Sequence, residues 1–193
     1  MASRPIIIVP YDERWPRAFM ELAEPLRRAL GDLALRVDHI GSTAVPGLAA
    51  KDIIDIQVTV RDFAGPLESA LAPLGYTRDL EINGDHQPPH SSGPAGEWEK
   101  RYFRPPSGMR PMHLHVRAEG RANQRYALLF RDYLRAHPLA AGAYAQIKLA
   151  LAQRQPHDWD FYYDVKDPVC DVIISAAEDW ARATNWQPGL SDA

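Results

Sequence analysis

Hydrophobic and polar residues alternate most regularly between positions 53 and 60 of the chain. Four apolar side chains fall on one face of the strand that this alternation predicts: Ile54, Ile56, Val58 and Val60. The opposite face carries Asp55, Gln57 and Thr59. We therefore predict a strand with one face in the core and a carboxylate on the other, outward face.

Shorter patterns predict the remaining elements of the first half. Strands are predicted at 33–40 and 76–82, and a helix at 63–74. Segments 97–104 and 109–117 flank a Pro-Pro-Ser-Gly turn, and this arrangement predicts a β-hairpin.

Helical spacing of apolar residues is clearest near the two ends of the chain. It predicts a helix over 15–30, with Asp12 as its N-cap, a kink or break at Pro25 and an end at Gly31. Three further helices are predicted after residue 121.

The length of 193 residues favours one domain, 1–193. Its sheet-rich part is expected over about 1–118 and its helical part over about 119–185. Segment 83–96 is rich in Gly and Pro and is long enough to act as a lid over a site. The polar tail after residue 186 is expected to fray.

Composition narrows the function classes. The chain has 22 Lys and Arg against 25 Asp and Glu, a formal charge of -3, which argues against general nucleic-acid binding but leaves room for a local basic pocket. One cysteine, Cys170, excludes an internal disulfide and fits a reducing, cytoplasmic location. No apolar run approaches the roughly 18 residues that span a bilayer, so no membrane association is expected. Composition leaves the oligomeric state unknown.

The densest candidate site lies between residues 39 and 57. A predicted strand leads into Gly41, Ser42 and Thr43, where backbone N–H groups and two hydroxyls can approach a phosphate. The alternative is an ordinary turn in which a hydroxyl caps a helix. Asp55 follows closely and is a candidate catalytic carboxylate and metal ligand. A serine hydrolase is disfavoured because the Gly-x-Ser-x-Gly pattern is missing.

Two histidines on one predicted strand form the second candidate site. His113 and His115 lie about 7 Å apart on the same face, given the usual rise of a strand. Such a pair can bind a metal, donate to phosphate oxygens or transfer protons, although exposed or hydrogen-bonded histidines are commoner.

Basic side chains in the helical half are candidate phosphate ligands. Tyr144 and Lys148, like Tyr162 and Lys166, stand four residues apart and so share a helix face. These lysines neutralise phosphate if they border a cleft, and otherwise lie over apolar surface. The full set of candidate cations is Lys51, Arg131, Lys148 and Lys166.

Taken together, these motifs resemble the GrpB-like family, which is similar to a domain fused to some bacterial dephospho-CoA kinases. The segments that carry the resemblance are His39 to Gln57, Tyr11-Asp12 with Trp15-Pro16, His113 to Val116, Phe130 to Arg135, and Tyr144 with Lys148. The resemblance implies an α+β nucleotidyltransferase fold of the DNA polymerase β-like superfamily. A mixed twisted sheet flanked by helices, with a C-terminal helical bundle, is then expected.

In that superfamily a Gly-Ser turn binds a nucleoside triphosphate, and carboxylates on adjacent strands hold divalent metal. Gly41 and Ser42 match the turn, and Asp55 matches the first carboxylate. The second carboxylate is replaced by Gln57, and His113 and His115 stand where a third is expected. This donor set suits Zn²⁺ or Mn²⁺ better than Mg²⁺.

The leading hypothesis is nucleotidyl transfer to an unknown small-molecule or macromolecular acceptor, from a nucleotide or a phosphorylated small molecule. A divalent metal, Mg²⁺, Mn²⁺ or Zn²⁺, would bind Asp55, His113 and His115. One alternative is a non-catalytic domain that binds a nucleotide or phosphate ligand and has a degenerate metal site. Another is a metal-dependent hydrolase with His39, His113 and His115 as ligands.

Overall fold

The chain forms a five-stranded mixed sheet with helices on both faces, as seen in a computed structural model that describes residues 4–89, 91 and 93–193. The strands are β1 (Arg36–Ile40), β2 (Ile54–Val60), β3 (Thr77–Asp79), β4 (Arg101–Arg104) and β5 (Met112–Ala118). The helices are α1 (Trp15–Leu30), α2 (Leu67–Leu71), α3 (Ala122–Ala136), α4 (Pro138–Arg154) and α5 (Trp159–Thr184). The α+β class is confirmed.

The strand order is β1-β2-β5-β4-β3, so β2 and β5, which carry Asp55 and the two histidines, lie inside the sheet. β2 and β5 run parallel with Asp55 opposite His113, and the other neighbouring strands run antiparallel. The predicted hairpin is confirmed, with Tyr102 of β4 opposite His115 of β5.

One face of the sheet forms the main apolar core with α1 and α2. Ile54, Ile56 and Val58 are fully buried there and belong to the same cluster as side chains of α1. Burial of one aliphatic side chain contributes roughly 1.5–3 kcal/mol, which makes this face the main source of stability.

Helix α1 has the predicted bounds, 15–30, but its N-cap differs from the prediction. It ends at Gly31, where φ is 50°, and it continues through Pro25 as one helix. The N-cap is Arg14 rather than Asp12, because the Asp12 carboxylate accepts the N–H of Arg14, at 2.8 Å, one residue before the helix starts.

The opposite face of the sheet is covered as well. Gln57 and Thr59 are both 0% exposed, and Gln57 donates to a backbone carbonyl of α3, that of Gln124, at 3.1 Å. The expectation that this face points outward was therefore wrong, because the helical half packs on it. No helix among the described residues has the length and apolar character needed to cross a membrane.

Two predictions about the periphery were also wrong. Helix α2 is shorter than the predicted 63–74, because it starts after Pro66 and gives way to a 3₁₀ turn that contains Pro73. The tail does not fray: the N–H of Ala193 and the Ser191 hydroxyl both donate to the Val37 carbonyl of β1, at 3.1 and 3.0 Å.

Candidate functional site

A cleft of about 480 Å³ lies between the polar face of the sheet and helices α3, α4 and α5. It is lined by nine of the ten residues that the sequence singled out: Gly41, Ser42, Thr43, Lys51, Asp55, His113, His115, Lys148 and Lys166. Residues from distant parts of the chain thus converge on one polar surface.

The turn after β1 positions one wall of the cleft. Gly41 has φ 72°, which favours glycine, and a Cβ there would collide with the Asp55 carboxylate. Ile40 pairs with Asp55 across β1 and β2, so the turn and the carboxylate meet directly. Any larger residue at position 41 would displace Asp55.

Thr43 and His39 stabilise this turn from behind. The Thr43 hydroxyl donates to the Ile53 carbonyl at 3.2 Å and accepts from Nε2 of His39 at 3.0 Å. His39 stacks on Phe19 of α1 and is not among the cleft-lining residues, and burial lowers its pKa to about 4. The alternative with three histidine ligands is therefore wrong, because His39 belongs to the other face of β1.

Lys51, Lys148 and Lys166 form the basic wall of the cleft, and Lys148 makes the closest contact with the turn. Its Nζ donates to the Ser42 hydroxyl at 2.9 Å and to the Ala49 carbonyl at 2.7 Å, and its side chain is buried. Burial, together with the charges of Lys166 and Lys51, lowers the pKa of Lys148 to about 7. This ammonium is therefore close to its titration point at neutral pH, where an approaching anion would favour the protonated form.

The other two lysines border the cleft from its edge. Lys51 Nζ lies 5.1 Å from the ring centroid of Trp159 and 5.4 Å from that of Tyr163, whose hydroxyl accepts from it at 3.3 Å. Lys166 Nζ lies 5.5 Å from the Tyr163 ring and donates to Asp167 at 2.7 Å. Aromatic faces hold both ammonium groups in place.

The carboxylate and the imidazoles form the floor of the cleft. Asp55 Oδ1 is 3.8 Å from Nε2 of His115, and the Tyr102 hydroxyl shares a hydrogen bond with Nδ1 of His113. Burial lowers the pKa of His113, and it lowers that of His115 to about 4, so both rings are neutral at pH 7. Burial opposes ionisation of Asp55, but contacts with His115 and His113 outweigh it and lower its pKa.

A buried polar network around Asp85 forms another part of the cleft wall. Asp85, from the segment expected to be a lid, accepts from Lys100 at 2.7 Å and from Arg117 at 2.8 and 2.9 Å. Arg117 also donates to Gln57 Oε1 at 2.6 Å. Burial would raise the pKa of Asp85, but the Arg117 and Lys100 charges lower it well below its usual range.

A preformed metal site does not fit these residues. In the part of the chain that the structure describes, no three His, Cys, Asp or Glu side chains gather with ligand spacing. Nδ1 of His113 is engaged by Tyr102, and Gln57, at the expected second carboxylate, is bonded to a cationic guanidinium. One carboxylate is a poor donor set for a hard cation.

Arg131 is the one predicted site residue that the structure does not bring to the cleft. Its guanidinium is 3% exposed and donates to Asp132 at 2.7 Å, to Asp192 at 2.8 Å and to the His39 carbonyl at 3.0 Å. Its charge is balanced inside the fold, because the docked tail supplies Asp192.

The polar cleft residues that the sequence analysis missed include Asp85, Lys100, Tyr102 and Arg117. The predicted hairpin placed residues 109–111 in its second strand, but they belong to the turn. The pairing is therefore shifted, and Tyr102 lies opposite His115. The other three depend on contacts between distant segments, for which the chain carries no local pattern.

The fold and the site define an α+β protein with a basic cleft built around a Gly-Ser turn. Residues 5–176 match the family described as GrpB protein, and the chain belongs to this GrpB family. The crystal structure of the conserved protein GrpB from Enterococcus faecalis is 32% identical, covers 90% of this chain and 99% of that one, and superposes with a TM-score of 0.71.

Longer relatives share the same region. A dephospho-CoA kinase from Mycolicibacterium paratuberculosis is 39% identical over 97% of this chain and 50% of the kinase. A UPF0157 protein of Pseudomonas aeruginosa is 39% identical over 96% of this chain and 73% of its own length. The chain thus spans about half the length of the kinase relatives that it matches.

Proposed function

We propose that the cleft binds a nucleotide or another phosphorylated small molecule, with a phosphate against the Gly41-Ser42 turn. The observation that carries this proposal is the 2.9 Å contact between Lys148 Nζ and the Ser42 hydroxyl inside the cleft. An ammonium and a hydroxyl held together beside a glycine turn form an anion site of phosphate size. Lys51 and Lys166 add positive charge to the same cavity.

The remaining walls suit an aromatic group. Rings of Tyr102, Tyr126, Tyr162 and Tyr163 line the cleft, and flat rings of this kind stack on nucleobases. A volume of about 480 Å³ falls within the range of small-molecule sites. A cytoplasmic location, expected from the single cysteine, agrees with such a ligand.

The test is titration of the protein with ATP, GTP, CTP, UTP and dephospho-CoA, followed by calorimetry. Dephospho-CoA is included because proteins named as its kinase contain a similar region. We expect at least one of these to bind, and Lys148→Met to weaken that binding about tenfold or more, since one ionic contact is lost. Arg28→Met removes the same charge from an exposed position on α1 and should leave affinity unchanged. Absence of binding by every probe would contradict the proposal.

Nucleotidyl transfer is the second candidate, favoured by the position of Asp55 against the Gly41 turn. In that reaction an acceptor oxygen forms a bond to the α-phosphorus, the bond to diphosphate breaks, and the acceptor proton passes to Asp55. The lysines of the cleft would stabilise the departing diphosphate. The acceptor is a small molecule or a macromolecule.

This candidate is tested by diphosphate release from labelled triphosphates in the presence of cell extract. Asp55→Asn should abolish release while retaining the fold, because the side chains have the same shape. Asp52→Asn is the matched control: Asp52 is nearby in sequence but bonds Trp15 and Arg110 outside the cleft. Equal release by the wild type and Asp55→Asn would exclude a catalytic role for Asp55.

A further inference from the structure

We infer that the cleft binds its phosphorylated ligand without a divalent metal, with lysines supplying the charge that metal would supply in the related fold. This inference rests on the proposed function. It starts from Gln57, which stands where the resemblance implies a second metal-binding carboxylate. Gln57 is 0% exposed and is not among the cleft-lining residues.

Both polar ends of Gln57 are used inside the fold. Its Oε1 accepts from Arg117 at 2.6 Å, and its Nε2 donates to the Gln124 carbonyl at 3.1 Å. An amide suits this place because it must accept from one side and donate to the other, which a carboxylate cannot do. Gln57 therefore has a structural reason to be neutral, and it offers no oxygen to a cation in the cleft.

Positive charge already occupies the region beside Gln57. Arg117 and Lys100 both lie there, their side chains 7% and 9% exposed, and Asp85 is the carboxylate that bonds both. Two cations against one anion leave this network with one excess positive charge. Like charges in a buried site repel strongly, so a divalent ion between Asp55 and this network is disfavoured.

The positive charge for the ligand comes from the opposite wall. Lys148 contacts Ser42, and both its burial and the nearby charges of Lys166 and Lys51 oppose its protonation. A multiply charged anion placed among these three side chains is attracted by them and favours the protonated form of Lys148. A diphosphate or triphosphate group is the ligand chemistry that this arrangement favours.

The experiment uses two probes, ATP and inorganic tripolyphosphate, titrated into the full chain in EDTA and in excess Mg²⁺, Mn²⁺ or Zn²⁺. We expect binding in EDTA with an affinity within about threefold of, or tighter than, that in metal, a difference of under about 1 kcal/mol. Binding that appears only with metal would overturn the inference and leave the proposed function standing. Absence of binding in every buffer would overturn the inference, whereas the proposed function would be overturned only if the other nucleotides and dephospho-CoA also failed to bind.

A variant sharpens the argument about Gln57. Gln57→Glu restores the missing carboxylate and pairs with Arg117, and we expect ATP binding to remain as insensitive to Mg²⁺ as in the wild type. A tenfold gain in affinity on adding Mg²⁺ to this variant would show that the place is open to metal. If Gln57→Glu does not fold, equilibrium dialysis of Mn²⁺ or Zn²⁺ against wild type and Asp55→Asn provides the test. Equal, non-stoichiometric uptake supports the inference, and stoichiometric uptake by the wild type alone contradicts it.

Discussion

The two faces of strand β2 are both covered, but by different kinds of contact. On the face toward α1, Ile54 and Ile56 are surrounded by aliphatic and aromatic side chains of one cluster. On the other face, Asp55 lines the cleft and Gln57 is held by Arg117 through a directed hydrogen bond. Apolar packing is nearly independent of pH and salt, whereas the polar face depends on charges staying paired. Fold and site are thus built on alternate residues of one strand.

The largest expected effect concerns the ionic network of the polar face. Asp85→Asn leaves Lys100 and Arg117 without their carboxylate, and we expect a loss of about 3–5 kcal/mol in the free energy of unfolding. Urea unfolding measures it. Asp179→Asn, at an exposed position on α5, should change the free energy by less than about 0.5 kcal/mol.

The same network gives the polar face its acid sensitivity. Asp85 has a folded-state pKa below its ordinary 3.8, so its contribution is complete above that value and is lost as the pH falls through the folded-state pKa. Asp85→Asn should therefore flatten the loss of stability below about pH 4. If stability below about pH 4 falls equally in the wild type and in Asp85→Asn, this assignment is contradicted.

The apolar face should respond next. Ile56→Ala opens a cavity in the core and is expected to lower the free energy of unfolding by about 2–5 kcal/mol. Because Ile56 points away from the cleft, affinity of the folded variant for ATP should be unchanged. Val172→Ala, at a site 72% exposed, is the control and should have little effect. A large loss of affinity in Ile56→Ala would show that the two faces are coupled.

Lys148 should have a smaller effect, which is visible in how the free energy of unfolding changes with pH. Its pKa is about 7 when folded and near 10.5 when unfolded, so between these values the unfolded chain binds more protons. Stability contributed by this residue should then rise with pH by up to about 1.4 kcal/mol per unit. Urea unfolding from pH 7 to 9 should show a steeper rise in the wild type than in Lys148→Met. Equal slopes would contradict a buried, neutralised lysine.

The smallest effect is expected at the docked tail. Asp192→Asn weakens the bond from Arg131 to this side chain, and we expect a loss of about 1 kcal/mol in stability. Thermal unfolding measures the shift, with ATP binding unchanged because Arg131 lies outside the cleft lining. A pronounced loss of affinity in Asp192→Asn would restore Arg131 as a ligand-binding residue.

Local patterns were sufficient for the elements that border the cleft. Alternation over 53–60 predicted β2 and the side of Asp55, and the four-residue spacing placed Lys148 and Lys166 on faces that reach the cavity. Such signals survive because strand and helix periods fix which side chains share a face. The Gly-Ser turn was found for the same reason, since a glycine with positive φ is a local requirement.

Features that depend on pairing between distant segments escaped prediction. The partner of Gln57 is sixty residues away, and the tail docks on β1 through backbone bonds that its polar composition conceals. Arg131 matched the pattern of a ligand cation, but Asp192, 61 positions away, and the adjacent Asp132 both bond it. A charged residue therefore cannot be assigned to a ligand site from the sequence until its counterion is known.

The placement of Asp55 and both imidazoles on β2 and β5 has a dynamic consequence. These strands pair with each other and have a neighbouring strand on either side, so their backbone amides should be among the slowest to exchange with deuterium. The floor of the cavity is then a rigid platform. Ligand entry must then be accommodated by the helical wall and by the residues around Asp85, whose carboxylate bonds Arg117 of β5 and Lys100 just before β4.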